Sequence, residues 1–407
     1  MAANLKLTLT PGAENAVRDG HPWVFADRVK AQNREGRSGE LAVIYDRRDR
    51  FLAVGLYDAS SPIRVRILAQ GGTVKIDDYW FRERISTAVR VRDEHFVDKS
   101  TTGYRWMNGE SDGLPGMVLD RYGSVGVVKI YTSAWLPFLS SGRFLGWMRD
   151  CCPIASSWVL RTSRNIESMA AKVGLADGLP LVGEIKEVEV TTFLENGAVF
   201  EAEPVKGQKT GFFLDQRDNR LRVRELARNA DVLNVFSHTG GFSVHAAVGG
   251  ARSATDVDIS KHALTAARRN MELNQPMNSA VRECRHETIQ ADAFEWLANA
   301  TRDGRRYDIV VIDPPSLAKR QSEREGALEA YRRLARHGVK LLRRGGVLVA
   351  ASCSAHVSAE EFYKIVRQVA LQQGENGREL FATRHAIDHP ARIPEAHYLK
   401  CLGWKVS

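Results

Sequence analysis

The chain has 407 residues, 43% hydrophobic and 26% charged, and 58 Lys+Arg against 49 Asp+Glu give a formal net charge of +9. No stretch reaches the roughly 18 consecutive apolar residues of a membrane span, and five cysteines without a CxxC pair build neither a disulfide framework nor a structural zinc site. These facts exclude membrane-spanning, disulfide-stapled and zinc-ribbon classes, and leave a chain of two or three domains whose positive balance suits a polyanion.

The opening MAANLKLTLT lacks the charged-then-apolar pattern of a secretory signal, so a reduced, cytoplasmic setting is expected. Residues 1–71 then carry short apolar runs, LKLTL, LAVIYD, FLAVGLYD and IRVRIL, separated by turn residues, which predicts a small β-rich domain. QGGT at 70–73 reads as a linker, and DDYWFRERISTAVRVRDEHF after it has helical apolar spacing. Mixed strands and helices fill 72–190, including two strands in GMVLDRYGSVGVVKIY.

From 191 to 407 the pattern changes. DVLNVF (231–236), SATDVD (253–258), YDIVVID (307–313) and GGVLVAAS (345–352) are short Val- and Ile-rich runs with helical segments between them. Ser260 is placed to cap one helix, and Ser358 with Glu361 has capping-box spacing at another. Strand–helix alternation predicts a doubly wound parallel sheet, in which ligands bind beyond the carboxyl ends of the strands.

Those ends carry the candidate chemistry. After the first run, Gly240 and Gly241 allow a tight turn into a helix N-terminus, although a lone Gly-Gly is more often an ordinary turn. The second run ends in Asp258, where a carboxylate would hydrogen-bond a cofactor ribose, whereas Asp256 alternates to the opposite face. Asp292 follows the next expected strand and could meet an adenine amino group; a helix cap or turn is the plain alternative for either Asp. The fourth run stops at Asp313-Pro314-Pro315, whose prolines cannot continue a ladder. The fifth stops at Cys353 between Ser352 and Ser354, which reads either as a core cysteine or as a nucleophile with small neighbours that leave room for a flipped base.

Gly turn, Asp258, Asp292, Asp-Pro-Pro and Cys occur in chain order, one per strand end. Together with NVFSHTGGFSV, VDIS, DPPS and SCS, with KTGFFLDQRDNR (209–220), HPWVF (21–25) and GESDGLPG (109–116), they resemble the PUA-domain class I methyltransferases that make 5-methylcytosine in large-subunit (23S) ribosomal RNA. The resemblance implies an α/β architecture: an N-terminal β-rich PUA-like domain, a mixed α+β middle domain and a C-terminal doubly wound Rossmann-like methyltransferase domain. It implies that Gly240, Gly241, Asp258 and Asp292 hold S-adenosylmethionine, that Phe236 and Gln216 line its pocket, and that Asp313 and Cys353 act on the base. The family's Gly-Tyr-basic-acidic-aliphatic-Asn run is replaced here by Ala330-Tyr331-Arg332-Arg333-Leu334-Ala335.

The chemistry asks for such a pair. Cytosine C5 becomes nucleophilic once a thiolate adds at C6, and a group near N3 must stabilise the charge that develops, a task for Asp313 if burial raises its pKa. An RNA amino-methyltransferase would place an aromatic residue where Ser316 stands and would leave Cys353 unused. A nicotinamide oxidoreductase would need a fuller glycine fingerprint. A non-catalytic RNA-binding protein with a methyltransferase fold is the rival from another class. The basic stretch 319–344 suits phosphate contacts and an ordinary solvated helix face equally. His385 and His389 read as loop residues before Pro390, so no metal is expected. The sequence leaves assembly open, a homodimer included.

Overall fold

The computed structural model describes residues 4–372 and 377–407, which form two compact units. The first holds the described residues up to Phe193 together with Ala202–Leu214 and Asp388–Ile393. Its N-terminal sheet has six strands, in the order Trp23–Phe25, Ile63–Gln70, Phe51–Tyr57, Leu41–Tyr45, Leu5–Leu9, Val29–Gln32. Alternation puts Leu5, Leu7 and Leu9 on the buried face, where they pack with Ala42, Ile44 and Val65. A second, five-stranded sheet runs Leu179–Val182, Ser157–Thr162, Val125–Ile130, Met117–Tyr122, Gly103–Asn108, and the helix Asp78–His95 buries Trp80, Phe81 and Ile85 beside it.

The two sheets of this unit are not independent. Leu56 and Leu68 of the first belong to the same apolar core as Trp106, Trp135 and Trp147 of the second region. Asp58, 1% exposed, accepts from the backbone N–H and the hydroxyl of Ser133 at 3.0 and 2.8 Å and from the Thr132 hydroxyl. The late segment Asp388–Ile393 also belongs here: the Asp388 carboxylate accepts from Arg105 N at 3.0 Å, and Asn108 donates to the Pro390 carbonyl at 2.8 Å. A boundary drawn only along the sequence does not include that excursion.

The second unit is a seven-stranded α/β sheet. Its strands are β1 (Asp231–Val235), β2 (Ser253–Asp258), β3 (Arg285–Gln290), β4 (Tyr307–Ile312), β5 (Leu342–Ser352), β6 (Gly377–Thr383) and β7 (Lys400–Val406). The order is β3-β2-β1-β4-β5-β7-β6, with β1 to β5 parallel and β7 antiparallel to both neighbours. Helices connect the parallel strands: α1 (Arg217–Leu226) precedes β1, and α2 (Gly241–Val248), α3 (Lys261–Asn274), α4 (Ala293–Arg302), α5 (Arg324–Lys340) and α6 (Ala359–Gln372) follow successive strands. Ser260 caps α3 by accepting from Ala263 N at 3.2 Å, and Ser358 and Glu361 form the expected reciprocal cap before α6. The strand order reverses direction between β1 and β4, which makes the crevice beyond their carboxyl ends the place for a ligand.

Candidate active site

Register brings the expected residues to one edge of the sheet. Val235 pairs with Val257 on one side and Ile312 on the other, and Ile312 pairs with Ala350. Phe236, Asp258 and Asp313 therefore follow directly from one row, and Cys353 is the first residue past the end of β5.

The turn after β1 is wound tightly. Phe236 and His238 both have positive φ, 60° and 48°, a conformation non-glycine residues adopt at a cost and which clusters at functional sites. Gly240 (φ 75°) completes the turn into α2, and a Cβ there would stand 2.8 Å from the Ala267 side chain on α3. At Gly241 a Cβ would stand 2.9 Å from Arg220 on α1. Both glycines thus admit neighbouring protein closely, a demand separate from approach to a ligand. The Asp258 carboxylate accepts from His238 N at 2.9 Å with one oxygen and from Ser260 N at 2.8 Å with the other. It therefore orders the turn, and since a carboxylate has about four acceptor sites it keeps capacity for a ribose hydroxyl. Asp256 is fully buried and bonded to Asn234, Ser243 and His286, which agrees with its expected opposite orientation.

Asp292 caps α4, accepting from Phe294 N and Glu295 N through one oxygen. Phe236 meets Phe294 edge to face at 6.1 Å between centroids, so the two side chains wall the same stretch of the sheet edge. Gln216, buried at the start of α1, accepts from Asn219. Ser237, in the middle of the turn, has a buried hydroxyl with no partner among the described residues. A buried polar atom left without a partner costs free energy, so a polar ligand at this turn fits the residues present. Among the described residues no group of three or more His, Cys, Asp or Glu side chains is arranged to hold a metal ion. His389 lies buried in the first unit, and His385 is half-buried in the second, where it accepts from Leu399 N at 3.3 Å.

Around the thiol one expectation is overturned. Ser352 and Ser354 are fully buried and make no space for a base. They are fixed to Tyr331 on α5: Ser352 donates to the phenolic oxygen at 2.8 Å, and that oxygen is 2.8 Å from the Ser354 hydroxyl. The Ser354 hydroxyl oxygen also accepts from Leu317 N at 3.0 Å and Ala318 N at 3.2 Å, which ties the thiol turn to the segment after Asp313-Pro314-Pro315. Because strand side chains alternate, anchoring both serines on one side sends Cys353 to the other, where it is half-buried with its sulfur 3.8 Å from the Pro314 carbonyl oxygen. The remaining cysteines, Cys151, Cys152, Cys284 and Cys401, are buried. Burial pushes the Tyr331 hydroxyl up to about 12, so it stays a neutral hydrogen-bonding group.

Lys400, opposite Ser352 in the β5–β7 pairing, completes the floor by donating to the carbonyls of Ser354, Val357 and Tyr398. Neither Tyr331 nor Lys400 stands out as a site residue in the sequence. The signal for Lys400 was present as a lysine inside the apolar stretch Leu399–Leu402, since lysine is almost never fully buried without a partner.

Residues 178–370 match the family of S-adenosylmethionine-dependent methyltransferases, and residues 7–70 that of PUA-like domains. Over 405 residues the chain is 51% identical to a ribosomal RNA large subunit methyltransferase of Deinococcus radiodurans, covering 98% of this chain and 97% of that protein. It is 33% identical, over 98% of both chains, to ribosomal RNA large subunit methyltransferase I of Klebsiella pneumoniae. A Streptococcus mutans structure described as a SAM-dependent methyltransferase matches the fold with a TM-score of 0.79 at 24% identity, over 98% of this chain and 100% of that one. Another methyltransferase, solved with SAH, matches with a TM-score of 0.80 at 24% identity and the same coverage.

Proposed function

Since the chain belongs to the ribosomal RNA large subunit methyltransferase family, we propose that it methylates C5 of a cytosine in large-subunit (23S) ribosomal RNA through a covalent bond between Cys353 and C6. Its cofactor is S-adenosylmethionine. The observation that carries the reading is the half-buried Cys353 thiol, turned to the side opposite its two anchored serines at the strand end next to Asp313.

Phe236, Gly240, Gly241, Asp258, Asp292 and Gln216 hold the cofactor, which when bound supplies an electrophilic methyl group. Asp258 positions it through a hydroxyl, and Phe236 gives it an apolar wall. Cys353, as thiolate, adds to C6 of the cytosine and drives the ring electron pair toward C5, making that carbon nucleophilic. Asp313 meets the polar edge of the ring and stabilises the charge that gathers there. Once C5 carries both the methyl group and its original hydrogen, loss of that proton to a base restores the double bond and expels the thiolate. Ribosomal RNA is the partner, and the cytoplasm the place of action.

Nucleoside mass spectrometry of 23S RNA incubated with the protein and S-adenosylmethionine tests the proposal. It predicts 5-methylcytosine at one position. A methylated exocyclic amine would point to amino-methyltransfer, and RNA binding without any methylated nucleoside would leave the rival binding-protein reading standing.

A further inference from the structure

Lys400 is 1% exposed, and all three of its N–H donors go to backbone carbonyls: Val357 at 2.6 Å, Tyr398 at 3.0 Å, and Ser354, the residue after the thiol. Among the described residues no carboxylate pairs with it. Carbonyl dipoles satisfy an ammonium's hydrogen bonds but do not cancel its charge, and a buried cation without an anion is costly. Burial accordingly lowers its pKa to about 8, and the interaction that opposes the shift comes from Cys353. A neutral donor could tie these carbonyls together; the charge is what packing leaves unexplained.

We propose that Lys400 is a positioning residue for Cys353, holding the turn from Ser354 to Val357 in place and supplying the positive charge that balances the thiolate. The inference rests on Cys353 being the nucleophile. The other titratable groups facing this region are Tyr331 on α5, Asp313 at the end of β4 and Cys401 on β7. Burial holds Tyr331 and Cys401 protonated, and Asp313 carries no positive charge in either form, so Lys400 is the group placed to favour an anionic sulfur.

The test is the pH dependence of Cys353 alkylation by iodoacetamide in the full-length protein without RNA, read by mass spectrometry of the Cys353 peptide. The wild type should alkylate with a midpoint below the roughly 8.5 of an ordinary thiol. K400M should raise the midpoint by about one unit, lowering the rate at pH 7 about tenfold, while S-adenosylmethionine still binds. K400R, which keeps the charge, should restore most of the midpoint. A folded, cofactor-binding K400M with the wild-type midpoint overturns the proposal. So does a wild-type midpoint at or above that of an ordinary thiol, a result that needs no variant to fold. Because no RNA is present, an acidic midpoint without 5-methylcytosine formation defeats the cytosine reading alone, whereas 5-methylcytosine formation with an unshifted midpoint defeats the role of Lys400 alone.

Discussion

The Tyr331 hydroxyl sits between two buried serines and is the link that turns Cys353 outward. Tyr331→Phe would leave the Ser352 and Ser354 hydroxyls short of a partner inside the protein, at a cost of about 1–3 kcal/mol. The expected outcome is a lower denaturation midpoint and a methylation rate reduced at least tenfold, with S-adenosylmethionine affinity unchanged; calorimetry beside a rate assay checks both. Unaltered turnover in the folded variant would show that the thiol needs no such anchor. Cys353 and Asp313 could be read from sequence because each ends an apolar run, a local feature. The burial of Lys400 was signalled by its apolar neighbours, but its role and that of Tyr331 could not be read, because they act on Ser354 and Ser352 from 46 and 21 residues away, and that distance closes only when α5 and β7 pack against β5.

Among the elements, β1, β2, β4 and β5 were legible from their Val- and Ile-rich runs, and α3 and α6 from their caps. The pair β6 and β7 was not, because an antiparallel strand inserted beside β5 falls outside the strand–helix alternation. Equally hidden was the charge cluster that ties the segment before α1 to α1 and α2. Glu195 is wholly buried, with Arg220 donating to both its oxygens at 2.6 Å and His245 bonded at 3.0 Å. Burial works to raise the Glu195 pKa, but the Arg220 charge and the His245 hydrogen bond outweigh it and hold the group at about 2. A carboxylate lowered on folding contributes its stability above the unfolded value near 4.5 and loses it as pH falls toward about 2. The thermal midpoint should therefore drop steeply across that acid window. Glu195→Gln should flatten the drop and, by leaving Arg220 without its counter-charge, cost about 3–5 kcal/mol at neutral pH. An unchanged acid profile in the variant would remove Glu195 from the account.

For the whole molecule, composition limited the classes and periodicity located the regions, yet the joining of the two N-terminal sheets was unreadable. Leu56 and Leu68 look like ordinary strand residues in sequence, and only the structure puts them in one core with Trp106 and Trp135. The net charge of +9 favours an RNA partner without naming a base. The choice of cytosine rests on what the thiol does, and that can be captured directly. In RNA carrying 5-fluorocytosine at the target, fluorine cannot leave as a cation, so the bond from Cys353 to C6 should persist after methyl transfer. A denaturation-stable protein–RNA species should form only with S-adenosylmethionine and be absent in Cys353→Ala, which still binds the cofactor. Methylation of ordinary RNA at the wild-type rate by the folded Ala variant, with no trapped species from the wild type, would contradict the covalent mechanism.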